Sequence, residues 1–200
     1  HPPVVATEIR VPAGEKKQVV LPDSTRIWLN AGSHLVIAAG YGEQHRRLQL
    51  DGEALFDIRS HNNAFPLEIE AGRYFIEDIG TVFNLRSYSA DKTFEATVLE
   101  GQINIRPRAA KNAEQVIALR KNETFRAGPA LAKKPGMPDS SSAGATEQIR
   151  KTTLPPEAQQ IPWRNDQLVF DSLLFEDIAR QLERHYNIHI AVEDSVLKTY

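Results

Sequence analysis

Leu48-Gln49-Leu50-Asp51-Gly52-Glu53-Ala54-Leu55-Phe56-Asp57-Ile58 decides the fold class. Leu48 and Leu50 alternate with polar neighbours, as on a strand with one buried face; Asp51-Gly52 carries turn chemistry, and Leu55 resumes the apolar pattern. The same grammar occurs upstream, where Val19, Leu21, Ile27 and Leu29 flank the turn Pro22-Asp23-Ser24. It returns at Ile76, Ile79, Gly80, Phe83, Leu85, then at Val98, Leu99, Glu100-Gly101, Ile103, Ile105, and more weakly at Ile117, Leu119, Asn122, Phe125. From Ile9 to Phe125 almost no stretch has a helical period, so this region reads as many short strands.

Leu21, Leu50, Ile79, Leu99 and Leu119 form a loose repeat at intervals of roughly 20–30 residues, the range of stacked β-coils or regular hairpins. The expected fold is mainly β: a twisted two-sheet β-stack or short β-solenoid, followed by a small partial β-α-β domain. An antiparallel sandwich whose strands happen to alternate is the alternative.

After Gly128 the composition shifts. Lys133-Lys134-Pro135-Gly136-Met137-Pro138 and Asp139-Ser140-Ser141-Ser142-Ala143-Gly144 hold little that could be buried. The expected organisation is an all-β domain over 1–128, a linker over 129–150 and a β-α-β unit over 151–200. In that last unit Leu168 and Phe170 alternate as a strand, and Leu174, Ile178, Leu182 and Tyr186 share one helical face. Asp171 or Ser172 can cap the helix, Glu176 and Asp177 suit its positive end, and Asn187 can stop it. Ile188, Ile190 and Val192 then alternate as a second strand.

Composition narrows the function. Among 200 residues, 24 Lys+Arg face 26 Asp+Glu for a net charge of −2, which offers no surplus for nucleic acid or an anionic membrane. Cysteine is absent, so thiolate nucleophiles, thiolate metal sites and disulfides are excluded. The longest apolar run, Leu35 to Ala39, is far short of the ~20 residues a membrane helix needs. His1-Pro2-Pro3-Val4 lacks the basic and apolar regions of a signal peptide, and the chain is expected to begin downstream of a removed segment.

No constellation points to catalysis or a cofactor. His34, His45 and His61 lack the closely spaced ligand partners of a metal site, and His185 and His189 straddle the helix end rather than sharing a face. Asp51, Glu53 and Asp57 could serve as acid and base in glycoside hydrolysis, but carboxylates at even spacing are also what a solvated strand face shows. There Gly52 permits the turn, and Leu55 can face the core. Gly80-Thr81 has no following Lys-Ser/Thr, and Ser140-Ser141-Ser142 no nucleophile elbow. Trp28 and Tyr41 are the aromatic candidates for a carbohydrate-binding platform, whereas Trp163, Leu168 and Phe170 read as core of the second unit.

Four ordered blocks carry a resemblance: Leu21-Pro22-Asp23-Ser24-Thr25-Arg26-Ile27-Trp28-Leu29-Asn30, then Leu50-Asp51-Gly52-Glu53-Ala54-Leu55-Phe56-Asp57-Ile58, then Gly80-Thr81-Val82-Phe83-Asn84-Leu85, then Val98-Leu99-Glu100-Gly101-Gln102-Ile103. Together they resemble the FecR domain. Trp163 through Val192 is similar to the start of the small domain that follows FecR domains, which resembles the secretin and TonB short N-terminal fold. Ser24 stands where the family usually has Gly, Lys121-Asn122 replaces its Pro-Gly turn, and the second half of the small domain is expected to lie outside the present chain. The resemblance implies the periplasmic region of a single-pass inner-membrane anti-sigma factor. It implies a signal received from the N-terminal domain of a TonB-dependent outer-membrane transporter, and a sigma factor held by a cytoplasmic segment outside the present chain.

Recognition of the partner is expected within Trp163 to Val192. Two strands and one helix make a very small sheet with unpaired edge groups, so a partner could add a strand beside His189 and Ala191. Arg180 and Arg184 lie off the apolar stripe, on the outer side of the helix, with Glu176 placed to support Arg180. No enzymatic activity is expected.

Overall fold

The computed structural model describes residues 6–59, 65–78, 80–109, 116–128, 148–153, 161–170 and 175–191. Residues 129–147 of the expected 129–150 linker, His61, Ile79, Asp171, Ser172, Leu174 and Val192 lie outside them, and residues 148–150 lie in a strand.

The described strands are β1 (Thr7–Arg10), β2 (Lys17–Val20), β3 (Arg26–Leu29), β4 (His34–Ile37), β5 (Arg46–Asp57), β6 (Leu67–Ala71) and β7 (Tyr74–Asp78). They continue with β8 (Val82–Ser87), β9 (Phe94–Glu100), β10 (Gln102–Pro107), β11 (Ile117–Arg120), β12 (Glu123–Gly128) and β13 (Gln148–Thr153). A short 3₁₀ turn, Pro162–Asn165, and one helix, α1 (Phe175–Tyr186), follow.

The thirteen strands form one sheet that curls into two arms hinged on β5. In the first arm the order is β1-β4-β5-β6-β7-β10-β11, and in the second β2-β3-β5-β8-β9-β12-β13. The N-terminal half of β5 pairs Leu50 with Leu35 and, in parallel, with Ala71. Its C-terminal half pairs Phe56 with Ile27 and Phe83. Among the described residues β5 with β6 is the one parallel pair, so the two-sheet form of the expectation is found, built by antiparallel pairing as in the sandwich alternative rather than by solenoid coils.

Asp51-Gly52 is therefore not a turn but the point where one long strand leaves the first arm for the second. Gly52 sits at φ +141°, and a Cβ there would lie 2.5 Å from the Ser33 Cβ. Only glycine lets the strand bend this close to a neighbouring chain.

Side-chain alternation stays in phase through the bend. Leu48, Leu50, Ala54 and Phe56 all face the space between the arms, where they meet Leu35, Ile69, Ile103, Phe83 and Phe125. Phe56 stacks on Phe83 with centroids 5.1 Å apart. Leu55 does not join this core, contrary to the sequence reading. It has the parity of Glu53 and Asp57, faces the back of the second arm, and packs there with Ile161 and Trp163. The second arm thus buries both faces, and its back is where the C-terminal segment lies.

That segment also departs from expectation. Residues 167–170 and 188–191 are not strands. Their backbone donors find local acceptors instead, Gln167 N at the Pro162 carbonyl and Ile190 N at Glu183 Oε1. A β-α-β unit needs its two strands paired with each other or with a third, and no described strand accepts them. Residues 151–153, assigned by sequence to the second unit, lie in β13, paired to β12 through Thr152 with Thr124.

Candidate interaction surface

The backs of the two arms differ in chemistry. On the first arm the outward side chains form a solvated ladder, Arg47 with Glu68 at 3.3 Å and Arg108 with Glu70 at 2.5 Å. The back of the second arm carries a covered polar network. Glu53 is buried and accepts from Asn30 Nδ2 at 2.8 Å and Asn84 Nδ2 at 3.0 Å. Asn84 Oδ1 accepts in turn from the Trp163 indole N–H at 3.1 Å. Burial pushes the Glu53 carboxyl above its ordinary value, against the Arg86 charge and the two asparagine donors. Burial also opposes the charge on Arg86, but Glu53 and Asp91 outweigh it and hold the guanidinium above its usual value.

Glu53 is therefore not on a solvated strand face. Asp51 accepts from the Ser89 backbone N–H at 2.8 Å, and Asp57 lies 3.8 Å from Arg59, so the carboxylates are separately engaged.

Helix α1 sits on the turn that joins β8 to β9. Asp91 in that turn has no side-chain exposure, and it meets three guanidinium groups. Arg184 grips it with both Nη atoms, at 2.9 and 2.8 Å. Arg180 Nε approaches at 3.3 Å and Arg86 Nη2, from β8, at 3.1 Å. Asp177, also without side-chain exposure, takes Arg180 Nη2 at 2.5 Å and the Thr93 hydroxyl at 3.1 Å. Gln181 Oε1 accepts from Arg86 Nη1 at 3.0 Å. The Arg184 guanidinium lies 3.8 Å over the Tyr88 ring, and its carbonyl accepts from Gly14 N at 2.8 Å.

This corrects the sequence reading of the helix. Arg180 and Arg184 do not point outward: their face is turned to the β body because a buried carboxylate awaits them. The expected Glu176 to Arg180 pair is present at 3.7 Å. Asn187 ends the helix as expected, at φ 52°. At 100° per residue, Ile178, Leu182 and Tyr186 fall on the side opposite Asp177, Arg180 and Arg184. Tyr186 is exposed, as are Ile188, Val169 and Phe170.

His189 is exposed with Nδ1 2.9 Å from Glu183, and Ala191 is exposed beyond it. The structure thus separates the four residues expected to bind a partner, Arg180 and Arg184 inside the seat, His189 and Ala191 outside it. Trp163 is core, as expected, but of the β body. Trp28 lies beneath Arg164, 4.6 Å from the ring, and the Tyr41 hydroxyl donates to Asp23 at 2.8 Å. Among the described residues no three His, Asp or Glu side chains gather as metal ligands. Sequence reasoning missed Asp91, Arg86 and Asn84. Tyr88-Ser89-Ala90-Asp91-Lys92 reads as an ordinary polar turn, and nothing local marks which of its side chains a distant helix will cover.

Comparison with known proteins agrees with the sequence blocks. The family model described as FecR protein matches residues 7–104, and that described as FecR, C-terminal, matches residues 167–200. Two crystal structures, each of a candidate anti-sigma factor from Parabacteroides distasonis, are similar in fold. One has a TM-score of 0.74 at 24% identity, covering 92% of this chain and 76% of that one. The other has 0.73 at 25% identity, covering 90% and 75%. No curated protein matches the chain in sequence.

Proposed function

The chain belongs to the FecR family of anti-sigma regulators, and on that premise we propose that it is the periplasmic sensor region of a transmembrane anti-sigma factor. In this reading it relays a signal from a TonB-dependent outer-membrane transporter to an extracytoplasmic-function sigma factor, and it performs no catalysis. The observation that carries the reading is the orientation of α1. The helix spends its charged face on the β body and turns Ile178, Leu182 and Tyr186 the other way, beside exposed Ile188. On that side Ala179 is buried and Ile178 and Leu182 are half-buried, so the apolar surface offered to another protein is centred on exposed Tyr186 and Ile188.

The rival readings have less support. A carbohydrate platform needs open aromatic faces, but Arg164 covers Trp28 and Tyr41 is tied to Asp23. A hydrolase needs two carboxyl groups converging on one site, whereas Glu53 is enclosed by asparagines and Asp51 is bound to backbone.

Calorimetric titration of a transporter's N-terminal signalling domain tests the reading. Tyr186→Ser and Ile188→Ser alter exposed side chains and leave the seat intact, and each should weaken binding by about tenfold or more. Parent-like binding by both variants would move recognition onto the β body and remove the helix from the interface.

A further inference from the structure

We propose that α1 is a detachable element held by an ionic latch centred on Asp91, so that the chain has a closed state, with Arg180 and Arg184 sequestered, and an open state in which both are released. The proposal goes beyond the sensor reading and does not depend on it.

The first argument is the chemistry of the seat. Among the described residues the polar contacts of α1 with the body run through Glu176, Asp177, Arg180, Gln181 and Arg184, with one backbone hydrogen bond from Gly14 and the Arg184 guanidinium over the Tyr88 ring. Leaving such a seat hands these groups to water, which solvates them, whereas separating the two arms of the sheet would expose Phe56, Phe83 and Phe125. Opening the latch and unfolding the core are therefore events of different cost, and local opening is the cheaper.

The second argument is the arrangement of charge. One carboxylate without exposure serves three guanidinium groups, two on α1 and one on β8. Attraction in such a cluster is largely offset by desolvation, so the closed state is favoured by a small margin, and removal of Asp91 takes from Arg184 its carboxylate partner, while Arg180 keeps Asp177 and Glu176. The latch therefore has one decisive residue, on the β side.

The third is the fit. Gly32, at φ +71°, approaches Arg184 so closely that a Cβ would lie 3.1 Å from its Cδ. A side chain at Gly32 would crowd that stem and force it to shift beside Tyr88. The socket is shaped for an arginine rather than being a generic surface.

Hydrogen exchange on the full chain, read by mass spectrometry, tests the proposal. Asp91→Asn should speed exchange in Phe175 to Tyr186 by a factor on the order of 100 while β5 and β8 keep parent protection. Raising the salt concentration should speed exchange in the same segment of the parent, because the separated charges of the open state are the ones that salt stabilises. Arg184→Gln, which removes the bidentate grip from the helix side, gives the same readout should Asp91→Asn fail to fold. Unchanged α1 protection in the folded variants would overturn the latch. So would joint loss of protection in α1, β5 and β8, since the helix would then be part of the cooperative core.

Discussion

Ser33 and Glu53 hold each other by two hydrogen bonds through a single hydroxyl, the Glu53 amide donating to Ser33 Oγ at 3.0 Å and Oγ donating to the Glu53 carbonyl at 3.0 Å. At the bend of β5 a side chain thus does what a neighbouring strand does elsewhere, satisfying a backbone pair as the strand passes from one arm to the other. The exchange requires contact distance, and Gly52 provides it.

Gly52→Ala should therefore destabilise the domain by at least about 2 kcal/mol, from a positive φ and from a Cβ with no room. Adding Ser33→Gly should not restore the parent, because the Ser33 Cα itself lies 2.6 Å from the new Cβ. Urea unfolding measures both; a single variant with the parent midpoint would show that the bend relaxes freely.

Ser24 and Asn122 occupy left-handed backbone, at φ 65° and 63°. These are the two turns at which the sequence departs from the glycines usual in the family. Ser24→Gly and Asn122→Gly should each raise stability by about 0.5–1 kcal/mol, the relief of left-handed strain exceeding the entropy glycine adds to the unfolded chain. For Asn122 the gain includes removal of Oδ1, a buried acceptor without a hydrogen-bond partner. Thermal melts of the two single variants decide; a lower midpoint in both would mean that the side chains stabilise these turns.

Those turns show what could be read in advance. Alternation, turn residues and the family blocks exposed the strands between Thr7 and Gly128 and the helix with its stop at Asn187, because such signals are local. Leu55 shows the limit. Its alternation identifies a strand but not which of two buried faces is the main core, since that depends on Trp163, more than a hundred residues away. Arg180 and Arg184 fail in the same manner: charged residues opposite an apolar stripe look solvated until Asp91 is found beneath them. The flanking strands were misread because alternation in Leu168, Phe170 and Ile188, Ile190 supplies a pattern but no partner to pair with.

Trp163→Phe isolates the indole hydrogen bond from the aromatic packing. Asn84 Oδ1 is left buried without its donor, so the variant should lose about 1–3 kcal/mol, while Trp163→Ala, which also empties the space beside Leu55, should lose about 3–5 kcal/mol. Equal losses measured by guanidinium unfolding would assign the whole contribution of Trp163 to the indole hydrogen bond and none to packing.

Glu53 should give the domain a stability that falls as pH rises. Burial lifts its carboxyl above the usual 4.5, so between that value and its folded value the folded chain binds the proton more tightly than the unfolded chain. The stability from this group is complete below about pH 4.5, declines as pH climbs through the folded value, and has a limiting slope of about 1.4 kcal/mol per pH unit for one proton. Asp23 acts in the opposite sense. Burial would raise it, but hydrogen bonds from Thr25, Tyr41 and Arg46 prevail and hold it low, so its contribution is lost as pH falls. The total pH profile therefore mixes both signs, and the difference between parent and Glu53→Gln is the quantity to measure. Glutamine can still accept from Asn30 or Asn84 but not from both, so the variant carries a constant penalty of about 1–3 kcal/mol at low pH. As pH rises the parent weakens and the variant does not, so the gap should narrow. Urea midpoints taken from pH 4.5 to 8 follow it directly. A gap that stays constant over that range would mean that Glu53 ionises at its ordinary value, with Arg86 as a sufficient counterion inside the fold.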